Sequence, residues 1–262
     1  MWLYRWGWSV RFGATILGSG TIIPTSDRRA TSILVEIEDR SLLLDCGPCT
    51  VDSMAKIHYR FSDIGRIFIT HLHPDHTLGL PHMMAALNQI ELEDELHTVT
   101  VYGPSGLRWF FQRMNLLYGS TKPRKFFVDL VELGTAALSL PGGIKVRTAP
   151  MVHGEAPALA YRIDYRGKSL VYSGDTEYTL DLVSLANGAD TLISECSFPD
   201  SHSRKGHMTP SKVGMTAEQS RVKKLVVVHM YPEVESTDIK GVISEIFDGE
   251  IYIAEDLFQI TI

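Results

Sequence analysis

The sequence predicts a mixed α/β fold in which short strands come first in each half of the chain and helices cover them. With 262 residues, of which 44% are hydrophobic and 21% charged, the chain is long enough to bury one large core between two sheets. It contains no linker, internal repeat or low-complexity stretch that would mark a second domain. We therefore expect residues 1–262 to form a single domain.

Alternating and continuous apolar runs predict the strands, and wider apolar spacing predicts the helices. In chain order, strands are expected near residues 10–17, 32–37, 41–45, 66–70, 99–102, 126–132, 144–149, 158–164, 169–173, 191–194, 225–229 and 250–260. Helices are expected from Pro81 to about Gln89, after Pro104, and near 178–187, 210–220 and 238–247. The helix after Pro104 places Leu107, Phe111 and Met114 on one face, which is typical of a face packed on a core.

A dense group of potential metal ligands directly follows the strand predicted at residues 66–70. The potential ligands are His71, His73, Asp75 and His76. A single loop histidine would be ordinary, but three within six residues indicate a metal site, and such crowding suits two ions. Neutral imidazole and carboxylate are ligands that zinc and similar divalent ions prefer. His82, in the helix expected next, stays unassigned: a surface histidine is the commoner case, and support of one of these ligands from behind is the alternative.

Three further potential ligands lie far apart in the sequence, but each follows a strand-like run. His153 follows residues 146–152, Asp175 follows residues 169–174, and His229 follows residues 225–228. Polar side chains at strand ends can meet along one edge of a sheet. We therefore expect these three residues to join the cluster.

The complete pattern resembles the metallo-β-lactamase superfamily, whose HxHxDH signature is matched by residues 71–76. The resemblance covers most of the chain and implies a four-layer αββα sandwich with the ligands on loops along one edge, where two sheets meet. It also implies two divalent metal ions, with zinc expected and manganese or iron as alternatives. The family's ligands correspond to His71, His73 and His153 for the first ion, to Asp75, His76 and His229 for the second, and to Asp175 as the bridge.

Two other features are similar to motifs of the ribonuclease Z group, the endonucleases that process the 3′ ends of tRNA. One is the glycine-rich segment 17–26 with residues 28–32, followed by a strand that ends in Asp45-Cys46-Gly47. The other pairs Glu195 with His207, and the resemblance implies that Glu195 orients His207 to assist the leaving group. Alternatively, His207 only flanks the helix expected to begin near residue 210.

One departure from the ribonuclease Z group concerns the substrate. Members that process tRNA usually carry a long arm that grips the tRNA, in many of them between the positions of His153 and Asp175. Here twenty-one residues separate the two, and they read as a hairpin. The formal net charge of −6 also offers no broad positive field to a polyanion. The expected substrate is therefore a small phosphodiester or RNA, with precursor tRNA in doubt.

The expected activity is that of a binuclear metal-dependent phosphodiesterase. A hydroxide that bridges the two ions would attack phosphorus, Asp75 would orient the water or accept its proton, and His207 would assist the leaving oxygen. Two alternatives stay open. The first is a hydrolase of the same fold that acts on a carboxylic ester, lactone, thioester or sulfate ester. The second is a non-catalytic, metal-stabilised RNA-binding protein.

The remaining features concern the cellular setting. The chain has three cysteines, which fit a reducing interior better than a disulfide scaffold. We interpret Cys46 and Cys49 as structural rather than redox-active, because they fall inside the strand-loop motif. No run of about twenty apolar residues indicates a membrane span, so a cytoplasmic protein is expected. The tryptophan-rich residues 1–8 suggest a partner surface, and a homodimer is one expectation.

Overall fold

The computed structural model describes residues 12–92 and 97–262. The tryptophan-rich start, for which we predict a partner surface, lies outside the described residues. That the chain forms a single domain therefore stays a prediction. In the described part of the chain, every helix lacks the length or the apolar character needed to span a bilayer.

The elements of the described residues are numbered here in chain order. The strands are β1 (Phe12–Gly18), β2 (Ser32–Ile37), β3 (Arg40–Leu44), β4 (Arg66–Phe68), β5 (Thr98–Gly103), β6 (Phe127–Glu132), β7 (Ala136–Leu140), β8 (Ile144–His153), β9 (Ala156–Tyr165), β10 (Lys168–Tyr172), β11 (Thr191–Glu195), β12 (Lys224–Val228), β13 (Glu250–Ile253) and β14 (Gln259–Thr261). The α-helices are α1 (Thr50–Lys56), α2 (Pro74–Thr77), α3 (Gly79–Leu87), α4 (Leu107–Leu117), α5 (Leu180–Ala186), α6 (Pro210–Ser220), α7 (Pro232–Glu235) and α8 (Ile239–Ser244).

Within residues 12–92 and 97–262, the strands form two sheets of seven. Their orders are β14-β1-β2-β3-β4-β5-β6 and β13-β12-β11-β10-β9-β8-β7. Strands β3 to β6 run parallel to one another, as do β10 to β13. Parallel strands bring their carboxyl ends to one edge of a sheet, where loops can assemble a site.

Apolar residues fill three layers and explain why the elements pack as they do. Strand β12 is a continuous apolar run buried on both faces, whereas β8 alternates buried and exposed residues. Phe68 stacks on Tyr102, with ring centroids 4.5 Å apart, in the layer between the sheets. Helices α1, α3 and α4 cover the first sheet, and α5, α6 and α8 cover the second. The result is the αββα sandwich that the sequence pattern implies.

Several predicted boundaries differ from the structure. The strand predicted at residues 250–260 is two strands, β13 and β14, which belong to different sheets. Asp256 fixes the turn between them by accepting hydrogen bonds from the backbone N–H groups of Ser19 and Arg29. Strand β7 and helix α1 were not predicted, and α3 begins at Gly79, ahead of Pro81.

Candidate metal centre

The seven predicted ligands come together at one edge of the two sheets. Four of them lie on the loop after β4 and on the short helix α2 that follows it. His153 is the last residue of β8, Asp175 follows β10, and His229 directly follows β12. Strand ends from both sheets therefore supply the group, as expected from the sequence.

The first group consists of His71, His73 and His153, whose ligand atoms lie within 4.8 Å of one another. His153 Nε2 is 3.0 Å from His73 Nδ1. His71 and His153 are buried, whereas His73 is exposed. Three imidazoles that converge on one point, with one side open to solvent, are the arrangement of a catalytic rather than a closed structural metal site.

The second group consists of Asp75, His76 and His229, whose ligand atoms also lie within 4.8 Å of one another. Asp75 Oδ2 is 3.3 Å from His229 Nε2 and 3.8 Å from His76 Nε2. All three residues are buried.

Asp175 lies between the two groups. Its Oδ1 is 3.5 Å from His76 Nε2, and its Oδ2 is 3.4 Å from His229 Nε2 and 3.8 Å from both His71 Nε2 and His153 Nε2. One carboxylate therefore faces ligands of both groups, which is the position a bridging ligand needs.

Three ligand atoms in this cluster lack a partner. His71 Nε2, His76 Nε2 and Asp175 Oδ1 are buried and have no hydrogen-bond partner among the residues that the structure describes. Buried polar atoms are almost always satisfied, because leaving them unpaired is costly. The residues thus fit divalent cations, which would occupy the space that these atoms face.

The ionisation of the ligands agrees with such a role. Burial lowers the pKa of His71, and His76 lowers it further. Burial disfavours the charged form of Asp175, but His229 and His76 outweigh it and hold the pKa of Asp175 well below its usual value. Burial by itself would lower the pKa of His76, but the carboxylates of Asp175 and Asp45 outweigh burial and raise this pKa well above its usual value. In the metal-free protein a proton on His76 balances Asp175, and a cation would displace that proton.

Asp45, which follows β3, holds one imidazole of each group in place. Its carboxylate accepts hydrogen bonds from Thr70 N–H at 2.7 Å and Tyr172 Oη at 2.8 Å, and it lies 2.7 Å from His76 Nδ1. Thr70 Oγ1, which also donates to Asp45, is 3.1 Å from His71 Nδ1. Contacts of this kind orient metal ligands and fix their tautomers.

The other two buried histidines are also held by their Nδ1 atoms. His153 Nδ1 is 2.8 Å from the carbonyl oxygen of Gly206, whose N–H donates to Glu177 Oε1 at 2.8 Å. His229 Nδ1 is 2.9 Å from Ser197 Oγ. In both cases the Nε2 atom is left to face the centre.

Glu195 and His207 form a pair beside Asp175. His207 Nδ1 is 3.1 Å from Glu195 Oε1 and 3.9 Å from Asp175 Oδ2. Glu195 is fully buried and accepts hydrogen bonds from Thr176 N–H at 2.6 Å and from Ser197 Oγ. His207 precedes Thr209, the residue that caps α6, so it does not itself cap that helix.

The structure also shows where reasoning from sequence failed. His82 is exposed on α3, which agrees with a surface histidine rather than with a group that supports a metal ligand. That role belongs to Asp45, whose signal was its place at the end of a strand in the Asp-Cys-Gly motif. Cys46 is buried, and burial raises its pKa to about 12, in agreement with a structural thiol. Cys49 is exposed, which the structural interpretation did not anticipate.

Two sheets between layers of helices, with histidines and aspartates clustered at one edge, define a metal-dependent hydrolase of the metallo-β-lactamase type. The sequence model of the beta-lactamase superfamily domain matches residues 40–230. The chain therefore belongs to the metallo-β-lactamase superfamily.

Individual relatives refine this placement. The chain is 25% identical to ribonuclease BN of Proteus mirabilis (strain HI4320), over 90% of this chain and 95% of that protein. The crystal structure of human tRNase Z, short form, matches with a TM-score of 0.80 and 26% identity, over 95% of this chain and 99% of that one. The metallo-beta-lactamase fold protein YhfI from Bacillus subtilis matches with a TM-score of 0.83, over 96% and 100%. At 22% identity, this last likeness shows the shared fold.

Proposed function

We propose that the protein is a phosphodiesterase related to ribonuclease Z that uses two divalent ions, with zinc expected. The observation that carries this proposal is the Glu195–His207 pair, which stands beside the clustered ligands with His207 only 3.9 Å from Asp175. A hydrolase whose leaving group is an alkoxide needs a proton donor at that position. The names of the relatives, ribonuclease BN and tRNase Z, support a phosphodiester over a carbon ester.

Two divalent cations bound by the seven ligands would lower the pKa of water and offset the charge that develops on phosphoryl oxygens. Asp75 is suited to accept the proton of the attacking water. Although burial opposes it, the hydrogen bond from His229 lowers the pKa of Asp75, so its carboxylate is ionised at neutral pH. Asp75 Oδ2 lies 3.3 Å from His229 Nε2 in the second group.

His207 is suited to donate a proton to the leaving oxygen. Burial alone would lower its pKa, but the Glu195 carboxylate raises the pKa of His207 to about 9 in the metal-free protein. The imidazole therefore carries a proton at neutral pH. Glu195 keeps the ring oriented, because its own carboxylate is fixed by Thr176 and Ser197.

The substrate proposed is a small phosphodiester or RNA rather than precursor tRNA. Strands β9 and β10 form a hairpin joined by Arg166 and Gly167, where many tRNA-processing relatives carry their arm. The net charge of −6 gives the surface no compensating long-range attraction for tRNA. Three unpaired thiols favour the cytoplasm as the compartment.

A substrate panel tests this proposal. The protein, loaded with zinc, manganese or iron, would be assayed on bis-p-nitrophenyl phosphate, a cyclic nucleotide, an aryl sulfate and a lactone, and on precursor tRNA at several ionic strengths. We expect turnover of the phosphodiesters to dominate. His73→Ala should lose turnover together with one of the two bound ions, whereas His82→Ala, at an exposed site on α3, should keep its turnover and both ions. Turnover of the lactone or sulfate alone, or full activity after chelation, would contradict the proposal.

A further inference from the structure

A stack of aromatic rings borders the metal centre. Phe198 and Tyr231 lie nearly parallel, with ring centroids 4.6 Å apart. Arg204 lies over the Phe198 ring at 4.2 Å, and its guanidinium is bound to Glu233 at 3.1 Å. Phe198 is buried, whereas Tyr231 is partly exposed. The Phe198 ring therefore packs on the phenol and also carries the Arg204 guanidinium.

The phenol lies against the groups that carry the proposed reaction. The Tyr231 ring centroid is 6.0 Å from that of His229 and 6.4 Å from that of His207. Burial and three carboxylates of the centre raise the pKa of this phenol to about 12. These carboxylates belong to Asp75, Asp175 and Glu195.

The hydroxyl of Tyr231 makes no hydrogen bond that the described residues account for, unlike the other donors around the centre. Ser197 donates to Glu195, Thr70 to Asp45, and Tyr172 also to Asp45. A phenylalanine would stack on Phe198 equally well. A half-buried hydroxyl whose ring borders a site for an anionic ligand is a donor available to that ligand.

We infer that Tyr231 is a catalytic residue whose hydroxyl donates a hydrogen bond to a non-bridging oxygen of the scissile phosphodiester. This inference rests on the proposed function. The Phe198 ring and the Arg204 guanidinium act as positioning groups for the phenol. His207 and Tyr231 would then approach the phosphoryl group from the same side, His207 toward the leaving oxygen and Tyr231 toward a non-bridging oxygen.

Tyr231→Phe removes the hydroxyl but keeps the ring stack. We expect kcat/KM for bis-p-nitrophenyl phosphate to fall by about ten- to a hundredfold, the range for a lost hydrogen bond to a charged group. Metal content and melting temperature should match those of the wild type. The control is Tyr252→Phe, whose ring packs against Phe258 and whose hydroxyl donates to Glu250 outside the centre. The control should leave kcat/KM unchanged.

A phosphorothioate substrate separates a direct contact from an indirect one. In the Rp and Sp isomers of a dinucleoside phosphorothioate, sulfur replaces one or the other non-bridging oxygen and accepts hydrogen bonds poorly. In one isomer, sulfur replaces the oxygen that Tyr231 contacts, so the ratio of wild-type to Tyr231→Phe activity should drop toward one. In the other isomer that oxygen is kept, and the ratio should stay at about ten- to a hundredfold. Equal ratios for both isomers, or unchanged activity in Tyr231→Phe, would overturn the inference alone. A wild-type protein that hydrolyses no phosphodiester would overturn the proposed function as well.

Discussion

Asp45 affects both groups of proposed metal ligands although it belongs to neither. It contacts His76 of the second group directly and reaches His71 of the first through Thr70. The carboxylate is fully buried, and it accepts hydrogen bonds from several donors through both of its oxygens. At the scale of single residues, the orientation of the His71 and His76 imidazoles therefore depends on the Asp45 side chain.

We predict that Asp45→Asn lowers metal affinity or activity by about ten- to a hundredfold, as is usual when a group behind a metal ligand is lost. The amide keeps the size but cannot accept from all of the present donors. Metal titration and kcat/KM would measure the effect. The control is Asp190→Asn, another buried aspartate, which accepts from Ser169 and Lys223 away from the centre. The prediction fails if both variants lose metal equally or if neither does.

At the scale of elements, the centre depends on how the ends of β4 and β10 pass each other. Gly174, between β10 and Asp175, has φ +55, and a Cβ built there would lie 2.7 Å from the Thr70 Cβ. Thr70 follows β4, and its N–H and Oγ1 donate hydrogen bonds to Asp45. The close approach of these two loops therefore couples Asp175, the proposed bridging ligand from one sheet, to the histidine loop of the other.

Gly174→Ala tests this coupling. We predict a loss of about 2–4 kcal/mol in the free energy of unfolding, from the left-handed backbone together with overpacking against Thr70, and a loss of bound metal. Gly188→Ala is the matched control, because Gly188 has φ +65 but nothing lies within 4 Å of its Cβ position. That variant should lose only about 1–2 kcal/mol and keep its metal. Denaturant unfolding and metal analysis would show whether the two differ; equal effects would argue against the coupling.

For the whole molecule, sequence alone predicted most elements and the set of residues that meets at the centre. The reason is physical: His71 to His76 are adjacent, and His153, Asp175 and His229 each end or follow a strand, so strand ends at one edge of the two mixed sheets bring them together. Contacts behind the ligands could not be predicted, because they depend on side-chain directions between the two sheets. Asp45 is an example: its place at the end of a strand was visible in the sequence, but its contact with His76 was not. The split at residues 250–260 was missed because the apolar residues on the two sides of Glu255 and Asp256 were taken as one continuous strand.

The central claim is that seven side chains hold two cations. It is tested most directly by metal content per chain, measured by mass spectrometry after dialysis, in the wild type, in His73→Ala of the first group and in His229→Ala of the second. We predict two ions in the wild type and about one in each variant, with phosphodiester turnover lost in both. A wild-type protein that is fully active with one ion or none, or variants that keep both ions, would contradict the claim.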